Sequence, residues 1–150
     1  MTAPVFVDAN VPIYLGGADT GLARTCEAIL QLARRNPGAC CSNAEVLQEV
    51  LHVLRRRGLD LRARAIVVAF DLALSGQVAP VTREDVLRAM ELDLPGPLQV
   101  RDRVHLAVME RLGISRIITF DTAFDAAPGI ERLDPRELAA WREPVFSAGA

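Results

Sequence analysis

Asp8 and Asp121 each follow a short apolar run, Val5-Phe6-Val7 and Arg116-Ile117-Ile118-Thr119. Glu49 stands between Leu47 and Leu51, with Glu45 one helical turn before it, and Asp102 opens a segment carrying Val104, Leu106 and Val108. Taken singly, each acid has an ordinary explanation. An Asp after a strand is most often a turn residue or a helix cap. An Asp at a helix start complements the helix dipole, and a helical Glu commonly lies on a solvated face. The set is more specific than its members, because all of them could converge in one cleft. Clustered carboxylates repel one another and persist only with a compensating cation. A ligand set of oxygen alone favours a hard ion, Mg2+ or Mn2+. Such an ion generates hydroxide from water and neutralises charge developing on phosphate oxygens. These residue types therefore suggest metal-assisted hydrolysis of a phosphodiester.

The elements that must position these acids are legible in outline. Val5-Phe6-Val7 reads as a buried strand, stopped by Asn10 and Pro12. Residues 11–15 make one helical turn ended by Gly16-Gly17. Residues 22–35 are apolar at 22, 26, 29, 30 and 33, a helical spacing closed by Asn36-Pro37-Gly38. Residues 39–41 form a second small strand. Ser42-x-x-Glu45 is a capping-box pattern opening a helix whose buried face is Val46, Leu47, Val50, Leu51 and Leu54, closed by Gly58. A helix over residues 60–74 follows, then a third strand over 77–81, and Thr82 caps a helix over 83–94. Residues 100–112 are helical, with Gly113 just past the end. Residues 114–119 are the clearest strand after the first, and 130–133 the last. Asp134-Pro135 with Glu137 opens a final short helix. Strands alternating with helices predict an α/β fold, with a central, mostly parallel β-sheet flanked by α-helices on both faces. In such sheets ligands bind beyond the carboxyl ends of the strands, where Asp8 and Asp121 stand. One domain over residues 1–150 is expected, with residues 144–150 frayed.

Composition narrows the function classes. The chain has 150 residues, 51% hydrophobic and 24% charged, which excludes a disordered chain. No apolar stretch approaches the about 20 residues that span a bilayer, and the N-terminus shows no basic leader followed by an apolar run. Cys26, Cys40 and Cys41 are an odd number without C-x-x-C spacing, so buried thiols and a reducing cytoplasm are expected. A net charge of −2 does not fit a protein that coats nucleic acid, though a local basic patch is compatible with it. All 17 basic residues are arginine, which favours bidentate phosphate contacts.

At the acidic positions the chain resembles the PIN-domain ribonucleases, and within them the VapC-type toxins of VapBC toxin–antitoxin pairs. The resemblance is carried by Val5-Phe6-Val7-Asp8-Ala9-Asn10-Val11-Pro12, by Ser42 through Leu51, by Arg101-Asp102-Arg103-Val104-His105-Leu106-Ala107, and by Ile117-Ile118-Thr119-Phe120-Asp121-Thr122-Ala123-Phe124-Asp125. These blocks come in the family's order and span residues 5–133. The resemblance implies a Mg2+- or Mn2+-dependent endoribonuclease in the cytoplasm. Asp8, Glu49, Asp102 and Asp121 would be catalytic, with Asp8, Asp102 and Asp121 on the metal. Asn10 and Thr119 would support the site, Glu45 would replace or assist Glu49, and Asp125 would be a further acid. Which of Asp121 and Asp125 turns inward stays open. The resemblance also implies RNA as substrate, a cognate antitoxin whose arginine enters the acidic cleft, and a homodimer.

The remaining polar residues carry weaker signals. His52 and His105 lie within helices without a second His or Cys at zinc-ligand spacing, so packing or surface roles are expected. Arg101 and Arg103 flank Asp102 and are either RNA-phosphate contacts or solvated. Arg55, Arg56 and Arg57, with Arg62 and Arg64, form the densest basic patch, a solvated helix end or an RNA-backbone contact. The aromatic residues are too sparse for a base-stacking platform. A non-catalytic PIN-like interaction module is the alternative, disfavoured because all four acids are present. A phosphatase using Asp8 as nucleophile is disfavoured by Asn10 and by the lack of lysine.

Overall fold

The computed structural model describes residues 2–92 and 96–147. Five strands form one parallel sheet in the order β3-β2-β1-β4-β5. They are β1 (Val5–Val7), β2 (Cys40–Asn43), β3 (Val78–Ala79), β4 (Arg116–Ile118) and β5 (Glu131–Leu133). The helices are α1 (Asn10–Leu15), α2 (Thr20–Arg35), α3 (Ala44–Arg56), α4 (Asp60–Ala73), α5 (Arg83–Glu91), α6 (Val100–Leu112) and α7 (Leu138–Phe146). Two 3-10 turns, Thr122–Ala126 and Pro135–Glu137, follow β4 and β5. β1 is central and all three of its residues are buried, which is why an unbroken apolar run, not an alternating one, suits it.

Topology places the site. From β1 the chain winds outward through β2 to β3, then returns across the sheet to β4 and on to β5. Parallel crossovers are right-handed, so this reversal puts α5 and α6 on the face opposite α1–α4. α5 and α6 pack on each other, while α1, α2, α3 and α4 contact one another in their own layer. The reversal leaves a crevice between the carboxyl ends of β1 and β4, where α/β sheets bind ligands. The Asp8 amide donates to the Ile118 carbonyl (3.1 Å) and Ser42 Oγ donates to the Val7 carbonyl (2.9 Å), so the end of β1 is fixed from both sides.

Three expectations need correction. α3 is capped by Asn43, whose Oδ1 accepts from the Val46 amide (3.0 Å), and not by Ser42. Ser42 is still in β2, its hydroxyl used across the sheet, and Glu45 is left free to pair elsewhere. α5 ends at Glu91, short of residue 94, and residues 93–95 lie outside the described residues. Residues 144–146, expected to fray, complete α7, where Val145 and Phe146 are buried and Phe146 packs on Trp141. Apolar burial outweighs the entropy of the chain end there. Other boundaries shift by one to three residues, as cap geometry dictates. The three cysteines are free and buried. Desolvation pushes each thiol up to about 12.

Candidate active site

Asp8 follows β1 directly and is 6% exposed. Its Oδ1 accepts from the Ala9 amide (2.8 Å) and its Oδ2 from the Thr119 hydroxyl (2.8 Å). Thr119, just past β4 and fully buried, is the hub. Its oxygen accepts from Asn10 Nδ2 (2.9 Å) and from the Asp121 amide (3.0 Å). With both lone pairs engaged, the hydroxyl proton is directed at Asp8. Asn10 is itself oriented by the Phe120 amide, which donates to its Oδ1 (3.4 Å). Asp121 caps the following 3-10 turn through the Ala123 amide (2.9 Å).

Asp102 is the third residue of α6, where its Oδ2 accepts from the Gln99 amide (3.0 Å) in a capping box. The capping explanation for Asp102 is thus correct as far as it goes, but the carboxyl also faces the other acids. Burial pushes it up to about 6, and the charges of Asp8 and Asp121 push the same way. Burial likewise raises Asp8, opposed by the Thr119 and Ala9 hydrogen bonds and reinforced by Asp121. Glu49 on α3 is raised by burial and by the charges of Asp8 and Asp102, with Arg101 opposing. The four acids therefore share one field, although they come from four segments of the chain.

Arg101 is the cation already present. Its Nε donates to Glu45 Oε1 (3.1 Å) and its Nη1 to Glu49 Oε1 (2.9 Å), bridging α6 to α3. Glu49 is also acted on by the charges of Asp8 and Asp102. Arg103 turns to the backbone, donating to the Leu92 (2.8 Å) and Leu98 (3.4 Å) carbonyls. Asp125 is exposed and held by Arg132 (2.9 Å), so Asp121 is the acid that joins the cleft. In the basic patch, Arg55 lies 3.7 Å from Asp60 and Arg62 reaches the Gly16 carbonyl (3.5 Å).

The PIN-domain family pattern matches residues 5–130, which take in every one of these acids. The chain belongs to the PIN-domain family. Within it the VapC proteins are close relatives. Ribonuclease VapC13 of Mycobacterium tuberculosis is 37% identical over 132 residues, 86% of this chain and 98% of that protein. The crystal structure of Mycobacterium tuberculosis VapC20, a sarcin-ricin loop cleaving toxin, superposes with a TM-score of 0.67 at 27% identity. It covers 83% of this chain and 95% of that one. A toxin–antitoxin complex from Klebsiella pneumoniae shares the fold, with a TM-score of 0.59 at 20% identity over 87% of this chain and 97% of that one.

Sequence reasoning passed over one PIN-site neighbour. His105, expected to be a packing or surface residue, is fully buried on α6, one turn beyond Asp102. Its Nδ1 is 3.0 Å from Asn43 Nδ2, and its Nε2 lies 3.8 Å from Asp8 Oδ1. Burial pulls its pKa down to about 4, so the ring is neutral. A carboxylate oxygen from Asp8, one from Glu49 and a ring nitrogen of His105 lie within 4.8 Å of one another, a spacing that one metal ion can span. The signal available in sequence was position: His105 stands three residues after Asp102, and residues three apart share a helix face. Nothing local named Asn43 as partner.

Proposed function

We propose that this chain is the ribonuclease toxin of a toxin–antitoxin pair, hydrolysing RNA phosphodiester bonds with a divalent cation, Mg2+ or Mn2+. One observation carries the reading: carboxylate oxygens of Asp8 and Glu49 lie within 4.8 Å of each other at the sheet's reversal point, and the charges of Asp102 and Asp121 act on the same group. Acids so arranged are mutually destabilising without a cation. Carboxylates suit a hard ion; Asp8 and Glu49 lie within one ion's reach, and Asp102 and Asp121, which act on the site through their charge, are proposed with Asp8 as its ligands. When bound, the ion supplies charge neutralisation at phosphate and an acidified water.

The chain's own residues do the rest. Thr119 and the Ala9 amide orient Asp8 and favour its charged form. Asn10 holds the Thr119 hydroxyl in register. Asp102, raised to about 6 by burial, would bind the ion in its charged form, so proton and cation compete for it near neutral pH. Arg101 stands in the cleft where a cation belongs, and once the acids bind metal it becomes a partner for an RNA phosphate. Arg103, tied to backbone carbonyls, braces the entry to α6.

A groove lined by Val86, Met90, Leu98, Val100 and Arg101 opens beside the site, with Met90 and Val100 strongly exposed. Its apolar lining supports an antitoxin segment carrying apolar side chains. A single-domain homodimer in the cytoplasm completes the proposal. No described helix is long and apolar enough to cross a membrane. Purified protein should cleave end-labelled total RNA with Mg2+ or Mn2+, stop with EDTA, and lose cleavage in folded Asp102→Asn. Equal cleavage by that variant would refute the site. A light-scattering mass of one chain at micromolar concentration would refute the dimer.

A further inference from the structure

His105 Nε2 is the buried side-chain polar atom without a hydrogen-bond partner among the described residues, and it points at Asp8 from 3.8 Å. Its chemistry is set elsewhere. Asn43 Oδ1 is committed to the Val46 amide as the cap of α3, so the amide nitrogen is the end that faces His105. An amide N–H only donates, hence His105 Nδ1 must accept. A neutral imidazole with its lone pair on Nδ1 carries its proton on Nε2. The helix cap therefore dictates the tautomer of a ring 62 positions away.

That polarity is the reverse of a metal-binding histidine. A ligating imidazole presents a lone pair to the ion and donates its other N–H to a carboxylate or carbonyl. Here the far nitrogen accepts, so the near one has no lone pair to give. We infer that His105 is a positioning residue and not a ligand. Its Nε2–H is the third donor aimed at Asp8, after the Ala9 amide and the Thr119 hydroxyl, and the Asn43–His105 pair keeps the ligand set all-oxygen. Imidazole ligands draw Zn2+ and Cu2+ into a site, whereas carboxylates alone suit Mg2+ and Mn2+. The pair is thus a selectivity device against borderline metals. This rests on reading the acids as a metal centre.

The test begins with the metal-free protein. Nitrogen-15 NMR of His105 should show the proton on Nε2, and it should stay there when Zn2+ or Mg2+ is added. Asn43→Asp keeps an equally good helix cap, but its second oxygen accepts from Nδ1–H and frees the Nε2 lone pair. In that variant Zn2+ affinity measured against Mn2+ should rise about tenfold or more, the size typical of changes to a ligand's hydrogen-bond partner. A wild-type proton on Nδ1, or its loss from Nε2 on Zn2+ binding, overturns the inference. An unchanged Zn2+-to-Mn2+ preference in folded Asn43→Asp overturns the selectivity. If neither protein binds any divalent ion while the Nε2 proton is in place, the metal reading has failed and the tautomer assignment stands apart from it.

Discussion

Thr119→Val is the sharpest test of how this site is held. The substitution keeps shape and volume at a position with no exposure and removes one oxygen that makes three hydrogen bonds. The bond to Asp8 Oδ2 at 2.8 Å goes to a carboxylate, and such bonds contribute about 1.5–3 kcal/mol. Asn10 Nδ2 and the Asp121 amide are half-buried and can recruit water, so each adds less than about 1 kcal/mol. The expected loss of stability is about 2–4 kcal/mol, read as a lower urea midpoint with unchanged slope. A second effect is functional. The Thr119 hydrogen bond is the largest influence holding Asp8 down against burial, so without it the carboxyl rises further and is less available to a cation. Removing a bond that orients a metal ligand costs about 10–100-fold in affinity. Calorimetric titration with Mn2+ should show that loss, while Thr119→Ser, which keeps the oxygen, should stay close to wild type. If folded Thr119→Val binds Mn2+ as wild type does, the hydroxyl is not what positions Asp8, and the reasoning is wrong.

Further outcomes follow from the same cleft. Asp102 is raised from 3.8 to about 6 in the folded protein, so its contribution to stability is full below about 3.8 and lost as pH rises through about 6. A rise of that size corresponds to about 3 kcal/mol for a fully buried group, reduced to about 1–2 kcal/mol here by partial exposure. Metal-free Asp102→Asn should therefore be more stable than wild type at pH 7.5, with the gap closing toward pH 4. Equal stability at pH 7.5 would contradict the raised carboxyl. Apparent Mn2+ affinity of wild type should climb between pH 5 and 7 as Asp102 loses its proton, and a flat profile would refute this. Arg101→Met removes the cation shared by Glu45 and Glu49, so the metal-free protein should lose about 1 kcal/mol. Mn2+ should then raise its melting temperature more than it raises the wild type's, and equal shifts would show that Arg101 does not stand in for the ion. Asp125→Ala should leave cleavage intact, whereas Asp121→Ala should abolish it. The reverse result would exchange their assignments.

Much of this was written in the chain itself. Val5-Phe6-Val7 followed by Asp8, and Ile117-Ile118-Thr119 followed by Asp121, fix strand and acid together, because a buried parallel strand needs an apolar run and its end needs a polar turn. Helical spacing placed Glu49 and Asp102 on α3 and α6 within a few residues of their observed bounds. Such signals are local, and periodicity reads them directly. Tertiary structure decided which local options were used. Ser42 and Asn43 are both competent caps, and the sheet consumed the Ser42 hydroxyl at Val7, leaving Asn43 to cap α3. Asp121 and Asp125 are equal in sequence, until Arg132 on β5 claims Asp125. Glu45 and Glu49 share a helix face, and Arg101, 52 positions beyond Glu49, bridges them. Thr119 meets Asp8 across 111 positions only because β4 lies beside β1. Spacing along a chain specifies periodic structure. Hydrogen-bond partners so far apart are chosen by strand order and by burial, which leave each polar group only the neighbours the fold provides.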